Sequence, residues 1–494
     1  MKKSIIVIGA GMGGLAAGIY GRLNGFDTTI FEMHSLPGGQ CCSWKRKGYT
    51  FDGCIHHLMG CDPSTKLYSF WEELGAMPRT LGETKECVSV AAPDGTTFND
   101  WWDIGLLDAH MKNLSPADSE VIDDYIGGIR DFAEVDLLDN VMFGSMGDIA
   151  KAGVSTVPLL KWFKPTMEDF ARRFKDPFLA RAFPLVEYST PISPFFLHLA
   201  KHASGIKGDI QWPEGGALGL AKSIEKRYKD LGGEVVYKSP VVKILTDAGK
   251  ATGVKLSDGS VHRADVVISN ADGRKTIMDM LGGEFVDKKI NLWCSEPEDV
   301  TNWGVHVFLG VDRDLSEEPS ALVQLLDGPV TIAEHTTDSL EMQIFGMDPT
   351  MAPEGKGTIK VELFSSYSYW KGLSEDRARY DEEKQMAAEQ VIDLLDSTRF
   401  PGIKSQVEVV DVSTLMTWER FMGGTHGFMV GPKKKFSPNK MFFGKGYFTL
   451  PGLEDMYMVG TWATEAGALF ANAQSGKKTI EMLCKKNGIG FRSS

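Results

Sequence analysis

The stretch Lys3-Ser4-Ile5-Ile6-Val7-Ile8-Gly9-Ala10-Gly11-Met12-Gly13-Gly14 carries a short apolar run into a glycine turn, and Glu32 follows downstream. The apolar run reads as a buried parallel strand over 3–8. Gly9 permits the sharp turn out of it, and Gly11 lets the backbone approach a pyrophosphate. Gly14 lets the next helix pack close to the strand, and that helix points its positive end at the phosphates. A second strand over 28–31 delivers Glu32, whose carboxylate can take both hydroxyls of a ribose. A bare glycine motif is common. A strand before it, a helix after it and an acid at the right distance together mark a site for the adenosine half of a dinucleotide.

With 494 residues the chain has room for two or three domains and a large core. Its formal net charge of -13 argues against a nucleic-acid binder held by phosphate contacts, the local run Lys433 to Lys435 notwithstanding. The start, Lys2-Lys3 and then apolar residues, imitates a secretory signal. The glycine pattern accounts for the same residues, and no small-residue cleavage site follows. No apolar run is long enough to span a bilayer, so the chain reads as cytoplasmic. Seven cysteines is an odd number. Cys41, Cys42, Cys54 and Cys61 lie close together, but with neither zinc-ribbon nor ferredoxin spacing. They read as reduced thiols lining a site or core, with an iron–sulfur or redox-disulfide role as the alternative, and no metal site is expected from them with His56 and His57.

Signals for the nucleotide domain recur later in the chain. After Trp212-Pro213-Glu214-Gly215-Gly216 come a helix over 218–231 and a strand over 234–237. A hairpin over 241–245 and 251–256 follows, then a strand over 264–269 running into Asn270-Ala271-Asp272. A last short strand over 456–459 meets Gly460-Thr461-Trp462, and a Gly/Ala-rich loop leads into a helix over 470–485. Between these pieces lie a mostly helical, aromatic-rich insertion and a mixed one. The second holds strands over 305–311 and 358–365 and a charged helix over 374–395, which reads as a solvated face without a binding role. The fold class is α/β: a Rossmann-like domain assembled from 1–95, 206–275 and 421–494, with an α+β substrate domain inserted as 96–205 and 276–420.

These blocks, in this order and with Pro37-Gly38-Gly39 and Gly48-Tyr49-Thr50-Phe51-Asp52-Gly53 among them, resemble the flavoprotein group of phytoene desaturases, carotenoid isomerases and retinol saturase. The wider group includes the amine oxidases. The resemblance implies FAD held non-covalently by an amine-oxidase-type nucleotide domain. It also implies redox chemistry on carbon–carbon bonds of an apolar unsaturated substrate: isoprenoid, carotenoid, retinoid, steroid or fatty acyl. Gly9, Gly11, Gly14 and Glu32 correspond to the ADP site, and Gly38, Gly39 and Gln40 to a second phosphate loop. Gln40 stands where the family often has arginine. Val242 matches a strand residue whose backbone touches adenine. Gly460 and Thr461 match the segment under the ribityl chain, Thr461 replacing the usual aspartate. Gly467, Ala468 and Leu469 match the loop whose amides face the flavin's pyrimidine edge, where charge collects on reduction.

Asp52-Gly53-Cys54-Ile55-His56-His57 is the most chemically loaded segment. In the family this region lies beside the flavin, and His56 or His57 can carry a proton as hydride moves, because imidazole titrates near neutrality. Equally, both histidines can satisfy backbone groups. Tyr188 is a further proton-donor candidate. It lies in the stretch 178–199, where Phe195 and Phe196 read as a channel wall or as ordinary core. The stretches 154–163 and 441–450 offer peripheral membrane contact. No second glycine motif marks a nicotinamide domain, so NAD(P)H, if used, visits as a transient electron donor. A quinone, a carrier protein or oxygen are the other partners the sequence admits. Amine oxidation, a non-catalytic flavin-bearing lipid carrier and a plain NAD-dependent dehydrogenase are the rival readings.

Overall fold

The computed structural model describes residues 2–77, 81–82, 84–135, 157–187, 193–294, 302–427, 448–464 and 468–494. Two sheets organise it. The first has five parallel strands in the order Glu234–Val236, Asp27–Phe31, Ser4–Ile8, Val266–Ser269 and Met456–Met458. Ile5 to Ile8 of the central strand and Val266 to Ile268 are apolar without alternation because both faces are covered. Helices Met12–Leu23, Gly216–Asp230 and Leu469–Lys486 cover one face through Leu15, Ile19, Tyr20, Leu220, Ile224, Ile480 and Leu483. The other face packs on the hairpin strands Val241–Asp247 and Lys250–Leu256 and on the helical stretch ending at Cys294.

The second sheet has seven strands, in the order Val407–Ser413, Asn302–Val311, Gly357–Ser365, His335–Ile344, Ala321–Ile332, Glu86–Ala91 and Thr97–Trp101. Alternation along Gly357–Ser365 sorts its side chains. Ile359, Val361 and Leu363 face the helix Arg377–Ser397 in one apolar cluster. Lys360 and Glu362 turn to the opposite face. There the hairpin Ser43–Arg46 and Tyr49–Asp52 lays Phe51 against Phe308. Farther along, helices Ser119–Val135 and Phe195–Ile206 close a second core over Val90, Phe98 and Val323.

Three details differ from the sequence reading. The seam expected at residue 95 falls one strand too late: Glu86–Ala91 pairs with Ala321–Ile332 in the second sheet. The seam at 275 falls too early, since Lys275–Met280 and Lys288–Cys294 pack beside the first sheet. Apolar alternation shows that a strand exists but not which sheet it joins. The helix expected over 374–395 is Arg377–Ser397: it starts three residues later, capped by Asp376, whose carboxylate accepts from Ala378 N at 3.0 Å, because residues 374–376 close the short helix Tyr367–Leu373 before it.

Candidate functional site

The first strand stops at Gly9, whose φ of 94° would strain any other residue. Helix Met12–Leu23 then begins at Gly11 with no side chain capping it, so its first amides and positive end remain for a ligand. Glu32, 6% exposed, reaches back: one carboxylate oxygen accepts Ala10 N–H at 2.6 Å and the other accepts His34 N–H at 2.8 Å. Its charge therefore sits at the glycine turn. Gly38 N–H donates to Ala10 O at 2.8 Å, which folds the Gly38-Gly39 loop over the same turn.

A cavity of about 470 Å³ runs along Gly9, Gly11, Glu32, Gly39 and Val241. A second, of about 150 Å³, is lined by Gly38, Gly39, Gln40, Gly460, Thr461 and Leu469. The two abut, sharing Gly11, Gly39, Asn270, Ala271 and Met422. The last helix, Leu469–Lys486, starts at Ala468, also without a side-chain cap, beside the smaller cavity. One elongated trough with an uncapped helix N-terminus at each of its two parts fits an extended dinucleotide-type cofactor. Thr461 Oγ1 accepts Asn472 Nδ2–H at 2.9 Å. The Val242 side chain is 48% exposed, and its neighbour Val241 lines the trough. Gly467 and Tyr188 lie outside the described residues.

Asn270 was not among the expected site residues, yet it borders both cavities. Its carboxamide fills space that glycines leave: a Cβ on Gly11 would meet Nδ2 at 2.5 Å, and one on Gly460 would meet Oδ1 at 2.5 Å. The available signal was its place, directly after the apolar strand that neighbours the glycine-motif strand. Lys384 was missed as well. It lines the larger cavity from helix Arg377–Ser397, so that helix does not merely present a solvated face.

The segment after the hairpin divides its chemistry. Asp52 is fully buried and accepts from Ala217 N at 2.6 Å and Ser43 Oγ at 2.8 Å, which ties it to the start of helix Gly216–Asp230. Burial outweighs these bonds and raises its pKa. His56 and His57, adjacent in sequence, meet different partners. His56 Nε2 lies 2.9 Å from Glu362 Oε1, and Lys360 Nζ lies 2.7 Å from the same oxygen. Gln343 Nε2 donates to Ile55 O at 3.0 Å and holds this segment to the second sheet. His57 is pushed down to about 3, first by burial and then by the Lys201 and His56 charges. Lys201 pairs with Glu187, whose carboxyl is held at about 2 because Lys201 and His198 overcome the burial that would raise it. Behind them, Tyr125 OH sits 2.7 Å from His198 Nε2 and donates to Asp100 at 3.1 Å.

The thiols are quiet. Cys41 and Cys42 are both raised, Cys41 first by its contact with Cys54 and Cys42 first by burial, and burial brings Cys61 to about 12. Phe195 and Phe196 are fully buried against Tyr125, Phe170 and Leu199, so these two are core and not a channel wall. Of the stretches expected at a membrane, 154–156 and 441–447 lie outside the described residues. Leu159, Trp162 and Leu450 are buried, whereas Leu160 is 61% exposed. No helix among the described residues is long and apolar enough to cross a membrane.

Residues 7–74 match the model of an NAD(P)-binding Rossmann-like domain, and residues 164–391 match that of the flavin containing amine oxidoreductases. Over 98% of its length the chain is 27% identical to prolycopene isomerase 1 of an Oncidium hybrid cultivar, covering 84% of that protein. It is 27% identical to a lycopene-forming phytoene desaturase of Paracoccus sp., over 73% of this chain and 74% of that one. A solved oxidoreductase from Methanosarcina mazei superposes with a TM-score of 0.61 at 19% identity, covering 97% of this chain and 100% of its own. An engineered putrescine oxidase gives the same TM-score at 13% identity, over 98% and 99% of the two chains. These two structures share the fold.

Proposed function

We infer that the chain acts with FAD on carbon–carbon bonds of an apolar, unsaturated substrate, as a flavin-dependent oxidoreductase of the kind of the prolycopene isomerases and phytoene desaturases to which it is similar. The observation that carries the reading is the continuous trough from Glu32 to Leu469, with an uncapped helix N-terminus at each of its two parts. Residues Gly9, Gly11, Gly14, Glu32, Gly38, Gly39 and Gln40 would hold the nucleotide end. Val242 would lie by the adenine, and Gly460, Thr461, Gly467, Ala468 and Leu469 would hold the flavin end.

When bound, the flavin supplies the hydride acceptor or donor. The chain's own groups position the substrate, exclude water and manage the accompanying proton. His56 is the stronger candidate for that proton. It is one-third exposed beside a carboxylate, whereas burial and neighbouring cations keep His57 neutral. NAD(P)H is proposed as a transient electron donor and Leu160, with Lys161 and Lys164 beside it, as a point of peripheral membrane contact.

The test is direct. Purified protein should be yellow and release FAD on denaturation. Anaerobic incubation with linear polyenes, retinoids, unsaturated acyl chains and amines should change the flavin spectrum or yield altered double bonds only with an alkene class. A colourless protein that takes up no added FAD would overturn the reading, and bleaching by amines alone would move it to amine oxidation. Reduction of the bound flavin by NADH or NADPH tests the donor.

A further inference from the structure

A third cavity, of about 480 Å³, lies on the second sheet and shares no lining residue with the trough. Its floor is one face of three neighbouring strands, Ala321–Ile332, Glu86–Ala91 and Thr97–Trp101. The register puts Leu322, Ser89 and Asn99 in one row across them and Gln324, Ala91 and Thr97 in the next. Val323, Val90 and Phe98 alternate to the opposite face and pack in the helical core. Residues 316–320 and Arg399 line it from outside these strands. We propose that this cavity is a second ligand site, for a small organic ammonium ion held by Glu86, Gln324 and Trp101.

Each of the three groups lacks what such an ion supplies. Glu86 and Ser89 would face opposite ways in an unbroken strand, but the register shifts between them and both line the cavity. Glu86 is 7% exposed, and among the described residues it forms no ion pair. Burial raises its carboxyl, opposed by a hydrogen bond from the Ser320 backbone and by the Lys85 charge. A buried carboxylate without a paired cation is costly, and a bound cation removes that cost. Gln324 is 2% exposed. Its amide nitrogen donates to Ala91 O at 3.2 Å and to Leu325 O at 2.9 Å. Its carbonyl oxygen has no donor among the described residues and remains an acceptor. Trp101 is paired with Glu86 across the strands, is half-buried, and carries no cation over its ring among the described residues.

A carboxylate, a carbonyl oxygen and an indole face together suit an ammonium group, which donates to the first two and lies against the third. The charge around the cavity has the matching sign. Among its described lining residues, Glu86, Glu317 and Glu318 outnumber Lys85 and Arg399, and Arg399 is already paired with Glu318. A phosphate or carboxylate would meet this excess of negative charge. The volume lies within the range of small-molecule sites.

The test uses FAD-loaded protein and butylammonium as the probe, with butyrate and glycerol as the anionic and neutral controls. Calorimetry measures binding while the flavin spectrum reports any ligand in the trough. Butylammonium should bind at a saturable site and the controls should not compete. Glu86→Gln should weaken it about tenfold or more, and Trp101→Leu several-fold, with FAD content and melting retained. Crystals soaked in 4-bromobenzylammonium should show bromine anomalous density in the cavity beside Trp101. That position, and Trp101→Leu, decide the matter even if Glu86→Gln fails to fold. Equal binding of glycerol or butyrate, unchanged affinity in the variants, or bromine only elsewhere would overturn the proposal. None of these results bears on the alkene chemistry, which has its own site and its own test.

Discussion

Gly14 is the tightest point of the nucleotide site, and alanine there should cripple cofactor binding. An added Cβ would lie 2.1 Å from the Gly9 carbonyl oxygen and 3.3 Å from Asn270 Cβ. Opening the first contact to an ordinary 3.4 Å needs about 1.3 Å of movement. Neither side can give it. Gly9 ends the central strand, and the helix is buried from Met12 to Gly21. It is also gripped from behind: a Cβ on Gly476 would lie 2.4 Å from Gly13 O, and one on Gly18 would lie 2.8 Å from the Tyr228 ring. Overpacking of this kind costs about 1–3 kcal/mol, and a site with no slack belongs at the upper end. The distortion falls on the amides that face the trough. If most of about 3 kcal/mol is lost from binding, FAD affinity drops roughly 100-fold. Gly127→Ala is the control. It sits in helix Ser119–Val135 with nothing within 4 Å of its new methyl, and should stabilise by about 0.5–1 kcal/mol. The assay is FAD content after purification, with thermal unfolding in the presence and absence of added FAD. Wild-type stoichiometry and melting in Gly14→Ala would refute the reasoning.

Glu32→Ala strips two backbone amides, Ala10 N–H and His34 N–H, of their buried acceptor. It should cost about 1–3 kcal/mol for each amide left unpaired and release FAD on dilution, read by flavin fluorescence. His57 and His306 are held at about 3 and about 4, below the ordinary 6.5. Between those values and 6.5 the unfolded chain binds more protons, so stability should fall as pH drops from about 6.5 to 4. Denaturant midpoints measured against pH should show a shallower slope in His306→Gln, and an identical slope would count against the assignment. Cys41, Cys42 and Cys61 should resist iodoacetamide at pH 8 in the native state and react after unfolding, as peptide mass spectrometry would show.

The nucleotide half was legible because its signals are local and geometric. A strand, Gly9, Gly11, Gly14 and an acid at Glu32 must sit at set spacings to meet one ligand; Gly9, Gly11 and Glu32 line one trough, and Gly14 packs against Gly9 behind them. The seams between sheets were not legible. The segment Glu86–Ala91 has the same alternation whichever sheet it joins, and its pairing with Ala321–Ile332 spans more than two hundred residues. Asn270 and Lys384 escaped notice for a related reason. An asparagine after a strand and a lysine on a charged helix are unremarkable until the fold brings a cavity to them. The sequence showed two adjacent histidines but could not tell them apart. Glu362 and Lys201, which divide their roles, both lie far downstream along the chain.

The first sheet takes its fifth strand from Met456–Met458, and the helix that backs the glycine turn is Leu469–Lys486. During synthesis, therefore, the glycine turn waits for a segment made more than four hundred residues later. At roughly 5–20 residues per second that wait lasts about half a minute or more. Until it ends, the strand Val266–Ser269 has an open edge and the cofactor has only part of its cradle. Flavin loading then follows synthesis of the helix Leu469–Lys486. A nascent chain stalled before residue 456 should be both apo and prone to stick to others of its kind, which gives the cell a reason to shield it.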